Sequence, residues 1–212
     1  MQIGNKVASF DVDAQNTFTP LCPNELPVPG GTEIVEELNA QARYAEYRLG
    51  SKEGHNPKAV WVATADHPQL ESVAGPNVDV RWNLHAVPGT LGFELIDGLP
   101  HPAEYNFFVW KGIELDMHPY GSCYHDLAEK VSTGVIEYLR CHEVKTVIVG
   151  GLATDYCVKI TALQLCRAGF TVLLNRAACR GVAADTTEAA IQEMARAGIK
   201  IATQTSAIAE LV

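Results

Sequence analysis

The sequence predicts an α/β protein, a parallel sheet of about six strands covered by helices. Three observations lead there. Apolar, β-branched runs of strand length alternate with segments of helical period through most of the chain. The run "KTVIVGG" is continuously apolar, as expected of a strand buried on both faces. The 212 residues, 47% of them hydrophobic, suffice for one core, so residues 1–212 are expected to form one domain.

The elements follow in order. "KVASFDVD" reads as the first strand, apolar and ending in acids. "GGTEIVEELNAQARYAEYRL" has Ile34, Val35, Leu38, Ala42 and Ala45 near helical spacing and predicts a helix. "AVWVATA" at Ala59–Ala65 is expected to be the second strand and "YNFFVWK" the third. "HDLAEKVSTGVIEYLRCHE" is helical in pattern, and "KTVIVGG" is the next strand. "DYCVKITALQLCRAGF" predicts a helix closed by Gly169. "TVLLN" is a strand, "DTTEAAIQEMARAG" a helix with a capping-box pattern from Asp185 to Glu188, and "KIATQ" a last short strand. Residues 66–105, with five prolines, are irregular, as functional segments in compact domains often are.

Composition excludes several classes. The net charge of −9 disfavours nucleic acid, whose phosphates need a basic surface. No stretch approaches the ~20 continuous apolar residues of a membrane span. The beginning of the chain lacks the pattern of a secretory signal. The six cysteines are scattered without CxxC spacing, which argues against a disulfide framework or a cysteine zinc site. These features lead us to expect a cytoplasmic protein. Its expected partners are a small molecule and further copies of itself.

In open α/β sheets ligands bind beyond the carboxyl ends of the strands. The loops there begin at Asp11–Asn16, Asp66–His67, Lys111 and Gly150–Cys157. Cys157 falls in the first turn of its helix, with Thr154 or Asp155 as N-cap. Free N–H groups and the helix dipole there lower a thiol pKa from its usual ~8.5 and could hold an oxyanion. Alone, the cysteine could equally be a small packing residue. Alone, Asp13 could be a turn acid and Lys111 a surface lysine. On one rim the three form a set in which the carboxylate takes the thiol proton, the lysine orients the carboxylate and the thiolate attacks a carbonyl.

These residues carry a family resemblance. "FDVDAQNTF" resembles the D-x-Q-N-x-F opening of the isochorismatase-like cysteine hydrolases, and "GGLATDYCVKITALQLCRAGF" the nucleophile segment of their nicotinamidase (pyrazinamidase) branch. "VWKG", with Tyr120 nine residues after Lys111, is similar to the lysine segment. "RWNLHAVPGT" resembles the W-P-x-H-C-x-x-G-T segment, and "RAACRG" the segment after the next strand. The resemblance implies a three-layer α/β/α sandwich and a cysteine amidase that releases ammonia from nicotinamide. It gives catalytic roles to Asp13, Lys111 and Cys157. It implies a cis peptide between Leu152 and Ala153, with the Ala153 and Cys157 N–H groups as oxyanion hole. It makes Phe18, Trp82, Leu152 and Tyr120 substrate-binding residues, the aromatics stacking on a pyridine ring.

The family binds one divalent metal through D-x-H-P, a second histidine and the W-P-x-H histidine. Here "TADHPQLES" has Asp66 and His67 adjacent and Glu71 where the second histidine belongs, while His85 is present. Asp66, His67, Glu71 and His85 could hold zinc, iron or manganese. Adjacent residues on an extended segment point opposite ways, so the alternative is a loop acid, a solvent-facing His67 and no metal. Such a departure also fits a relative acting on another small amide, a carbamoyl or ureido compound. From a different class, a non-catalytic binder or thiol-redox protein would not need Cys157 as nucleophile. No organic cofactor is implied. His55, His101, His118, His125 and His142 are expected at the surface, His118 sharing the Lys111 loop.

Overall fold

A computed structural model describes residues 6–212. Among them six parallel strands form one sheet: β1 (Lys6–Val12), β2 (Tyr47–Glu53), β3 (Phe107–Lys111), β4 (Val144–Leu152), β5 (Thr171–Arg180) and β6 (Lys200–Ala202), in spatial order β3-β2-β1-β4-β5-β6. β1 and β4 lie side by side at the centre. Their neighbouring carboxyl ends form the crevice where such sheets bind ligands.

The alternation of side chains along β4 shows why its run is apolar throughout. Val147 and Val149 point into a core completed by Phe10, Leu139, Ala162, Leu165 and Met194. Those residues come from β1 and from helices α2 (Val135–Cys141), α3 (Lys159–Arg167) and α4 (Ala184–Arg196). Ile148, between them in sequence, packs with Val7, Leu173, Ala202 and Ile208 on the opposite face. Helix α1 (Val35–Gln41) contributes Leu38 to a smaller cluster with Ala14, Leu152 and Ala178. Among the described residues no helix is long and apolar enough to cross a membrane.

Three elements differ from expectation. The segment 30–49 is helical only through Gln41, followed by one 3-10 turn, Ala42–Tyr44. The second strand is "YRLGSKE", not Ala59–Ala65. Two of its three charges are paired inside the sheet, Arg48 with Asp11 at 2.6 Å and Glu53 with Lys111 at 2.7 Å, and Lys52 pairs with Glu94 at 3.3 Å. A polar sequence therefore forms a buried strand. Ala59–Ala65 instead packs Ala59 and Trp61 against Val78 and Trp82 in a small core of its own, with an isolated bridge from Val62 to Trp82. The segment 125–143 is helical only over Val135–Cys141, because Asp126 turns the preceding chain by accepting from the Lys130 and Val131 amides at 2.9 Å.

Two details also change. β5 runs on to Arg180 past Asn175, whose buried amide donates to Gln41 and Thr205. The capping box at Asp185 does not form. Ala183 precedes α4, and the carboxylate of Asp155 receives the Val182 and Ala183 amides instead.

Gly151 fixes how closely β1 and β4 approach. It has φ +132°, and a Cβ there would lie 2.0 Å from the Val12 carbonyl oxygen. Gly151→Ala must push the two central strands apart just before Asp13 and the Cys157 segment. We expect it to lower Tm by roughly 5–10 °C, equivalent to about 2–3 kcal/mol. A thermal melt matching wild type would contradict this close approach.

Candidate active site

Four strand ends deliver the site. β1 stops at Val12, and Asp13 turns out of the sheet with φ 45°, its carbonyl accepting from the Gln15 amide at 2.8 Å. Glu53 and Lys111 end β2 and β3 and are register partners, so the parallel pairing sets them side by side. β4 runs through a cis peptide, Leu152–Ala153, into one π-helical turn, Thr154–Val158, that carries Cys157 and leads into α3. Ala153 precedes that turn with no side-chain cap. Asp155, expected to cap it, points to the start of α4. The Tyr156 and Val158 amides both donate to the Ala153 carbonyl, at 3.1 and 3.2 Å.

Lys111 is the hub. Its Nζ lies 3.0 Å from Asp13 Oδ2, 2.7 Å from Glu53 Oε1, 3.2 Å from the Pro119 carbonyl and 3.8 Å from Cys157 Sγ. The Cys157 thiol is 3.6 Å from Glu53 Oε1. Asp13, Glu53, Lys111 and Cys157 are all buried. Burial pushes the Asp13 carboxyl up; Lys111 opposes this and Glu53 adds to it. Burial acts the same way on Glu53, but the Lys111 ammonium opposes it, and that carboxyl lies well below its usual range. The two acids are thus driven apart, one ready to accept a proton and one held ionised. Burial pushes the Cys157 thiol well up, with Lys111 acting the other way. Burial disfavours the lysine charge, but Asp13, the thiolate and Glu53 together raise the Lys111 pKa above its ordinary value.

The other oxygen of Glu53 faces a histidine cluster. Oε2 lies 3.2 Å from His55 Nε2 and 3.0 Å from His85 Nε2. Each ring turns its Nδ1 to a backbone carbonyl: His55 to Gly112 at 2.8 Å and His85 to Asn83 at 2.7 Å. A neutral ring that donates there presents its Nε2 lone pair to Glu53. Three acceptors then converge with no proton between them, which is the donor set of a divalent cation. His118 completes it, with donor atoms of all four residues within 4.8 Å of one another. Both of its ring nitrogens are buried without a hydrogen-bond partner. Gly112 makes room beneath, since a Cβ there would lie 2.5 Å from the His55 ring.

The ligand set thus differs from the expected one. Asp66, His67 and Glu71 are exposed. His67 pairs with Glu71 at 3.0 Å, and Arg81 approaches Glu71 at 3.4 Å, so that turn is closed on itself at the surface. Only His85 is shared by the two sets. His55 and His118, expected at the surface, are buried. The missing signal was Glu53-Gly54-His55, a carboxylate-x-histidine spacing hidden by reading the chain through Leu49 as helix and placing the next strand at Ala59–Ala65.

A cavity of about 250 Å³ opens onto Cys157 and Ala153. Phe18, Trp82, Tyr120 and Tyr156 form its aromatic wall, and Glu53, His85 and His118 lie at its polar end. It is smaller than the ~300–1,000 Å³ pockets that take drug-sized ligands, and suits a molecule with a single ring. Trp82 Nε1 donates to Tyr120, whose hydroxyl donates to Asp79 at 2.8 Å, bracing that wall. Leu152, expected to touch substrate, does not line the cavity; it packs behind it with Phe18 and Ile34. Tyr156 and His118 are lining residues that the sequence reading did not assign to substrate.

The Isochorismatase domain family model matches residues 8–206. The chain belongs to the isochorismatase family. The nicotinamidase of Escherichia coli is 30% identical over 202 residues, 91% of this chain and 92% of that protein. A nicotinamidase/pyrazinamidase structure from Acinetobacter superposes with TM-score 0.87 at 26% identity, covering 98% of this chain and all of that one. The pyrazinamidase of Pyrococcus horikoshii in complex with zinc gives TM-score 0.75 at 29% identity, with 93% and 98% covered. The isochorismatase-family fold therefore spans nearly the whole chain, including all the residues of the site.

Zinc titrated into chelator-treated protein is expected to bind at one site. His85→Ala or His55→Ala should weaken it by at least about tenfold, and His67→Ala should leave it unchanged. Equal effects of His67→Ala and His85→Ala on calorimetric affinity would contradict the Glu53-centred set.

Proposed function

We propose that the protein is a nicotinamidase, hydrolysing nicotinamide to nicotinate and ammonia through a thioester on Cys157. One observation carries the reading. Cys157 lines a single-ring cavity with aromatic walls, and Lys111, which touches Asp13, lies 3.8 Å from its sulfur. The names of its relatives, nicotinamidases and pyrazinamidases, support the same substrate class.

Asp13 is the base, because burial raises its carboxyl, whereas Glu53 is held ionised. It takes the proton from Cys157, and the sulfur attacks the amide carbon. The Ala153 and Cys157 amides, both at the cavity, receive the negative charge that develops on oxygen. Asp13 then returns its proton to the leaving nitrogen, and ammonia departs. Asp13 next deprotonates a water that opens the thioester, releasing nicotinate. Lys111 keeps Asp13 in place and favours the thiolate throughout. Phe18 and Trp82 hold the pyridine ring by its faces. Glu53, His55, His85 and His118 would hold a divalent cation such as zinc, which supplies a fixed positive charge for the ring nitrogen or a water bonded to it. The same reading has the enzyme in the cytoplasm, where thiols stay reduced.

Ammonia release from nicotinamide tests this. Wild type is expected to turn it over, and Cys157→Ala should lose at least about 10³-fold in kcat. Turnover of a carbamoyl or ureido compound but not nicotinamide would replace the substrate. Retained turnover in Cys157→Ala would overturn the mechanism.

A further inference from the structure

We propose that Ser51 is a positioning residue for Asp13, the last link of a buried hydroxyl chain that decides which carboxylate oxygen accepts the thiol proton. The proposal deepens the reading above and rests on Asp13 being the base.

The chain has one direction. Ser51 Oγ donates to Asp13 Oδ1 at 2.7 Å and accepts the Asp13 amide at 3.2 Å. A serine has one hydroxyl proton, and that of Ser51 is committed. The 2.9 Å contact between Ser51 and Ser122 must then be donated by Ser122. The Ser122 proton is thereby committed too, so Thr161 donates to Ser122 Oγ at 3.3 Å. In return the Ser122 amide donates to Thr161 Oγ1 at 3.0 Å. Asp13, Ser51, Ser122 and Thr161 are each fully buried, so no water competes for these protons.

The two oxygens of Asp13 are therefore unlike. Oδ1 faces a donor already in place, and a proton there would meet the Ser51 proton head-on. Oδ2 faces only the Lys111 ammonium, at 3.0 Å, and no hydroxyl proton is committed to it. The proton that leaves Cys157 bonds to Oδ2, and the sulfur keeps the electron pair. Thr161 stands four residues after Cys157, so the segment that presents the nucleophile also anchors the chain that aims its base. Ser51 and Glu53 share one face of β2, which gives that strand two neighbouring jobs at the site.

Three variants and two readouts test the proposal. Ser51→Ala is expected to lower kcat for nicotinamide about 10–100-fold with KM within about twofold, because a misaimed base slows the reaction without touching the substrate. Thr161→Val, nearly isosteric and two links away, should lower kcat less. The double variant should be no slower than Ser51→Ala, as links of one chain are not additive. Alkylation of Cys157 by iodoacetamide reads the same proton transfer without any amide, and should slow in the same order. Loss of nicotinamide turnover in wild type would overturn the substrate assignment while alkylation still decides the role of Ser51. If Ser51→Ala does not fold, slower alkylation in Thr161→Val with unchanged KM supports the chain, and unchanged alkylation overturns it. Wild-type kcat and alkylation in Ser51→Ala, or additive losses in the double variant, would also overturn it.

Discussion

The site depends on one buried ammonium. Lys111 lies at the end of edge strand β3, enclosed by Asp13, Glu53, the Pro119 carbonyl and the Cys157 sulfur. Two carboxylates and a thiol so close together cannot all ionise away from water unless a cation sits among them. The constraint reaches into the sheet. The β2–β3 register must set Glu53 opposite Lys111, and Gly151 must let β4 close onto β1 so that Asp13 and Cys157 meet at that point.

Glu53 joins two halves of the site that the sequence treats as separate. One oxygen holds Lys111 beside the thiol, and the other faces His55 and His85. A cation bound by the histidine cluster would therefore share its carboxylate with the acid–lysine–thiol group. The nucleophile, lone pairs of imidazole and carboxylate, and aromatic faces all line one cavity. A flat ring carrying both an amide and a ring nitrogen matches that lining.

Asp13, Lys111 and Cys157 were legible because each follows an apolar run, and the ends of such runs in a parallel sheet mark one rim. The sheet at β1, β3, β4 and β5 was legible for the same reason. β2 was not. Its buried charges are cancelled by partners from other segments, Asp11 and Lys111, which no local pattern reveals. The apolar stretch at Ala59–Ala65 supplied a false strand, because a loop with its own small core has the same composition as a strand. That one displacement moved the strand end past Glu53 and His55 and directed the metal reading to Asp66, His67 and Glu71. His118 comes from the loop after β3, and its burial depends on the neighbouring rings of His55 and Trp61.

The most direct measurement of the central claim is the reactivity of Cys157 with its cation removed. Lys111→Met keeps a long side chain and discards the charge. With the fold intact by circular dichroism, iodoacetamide alkylation of Cys157 at neutral pH should slow by at least about tenfold, corresponding to one unit or more of thiol pKa. An alkylation rate equal to that of wild type would contradict an account in which Lys111 holds the site together.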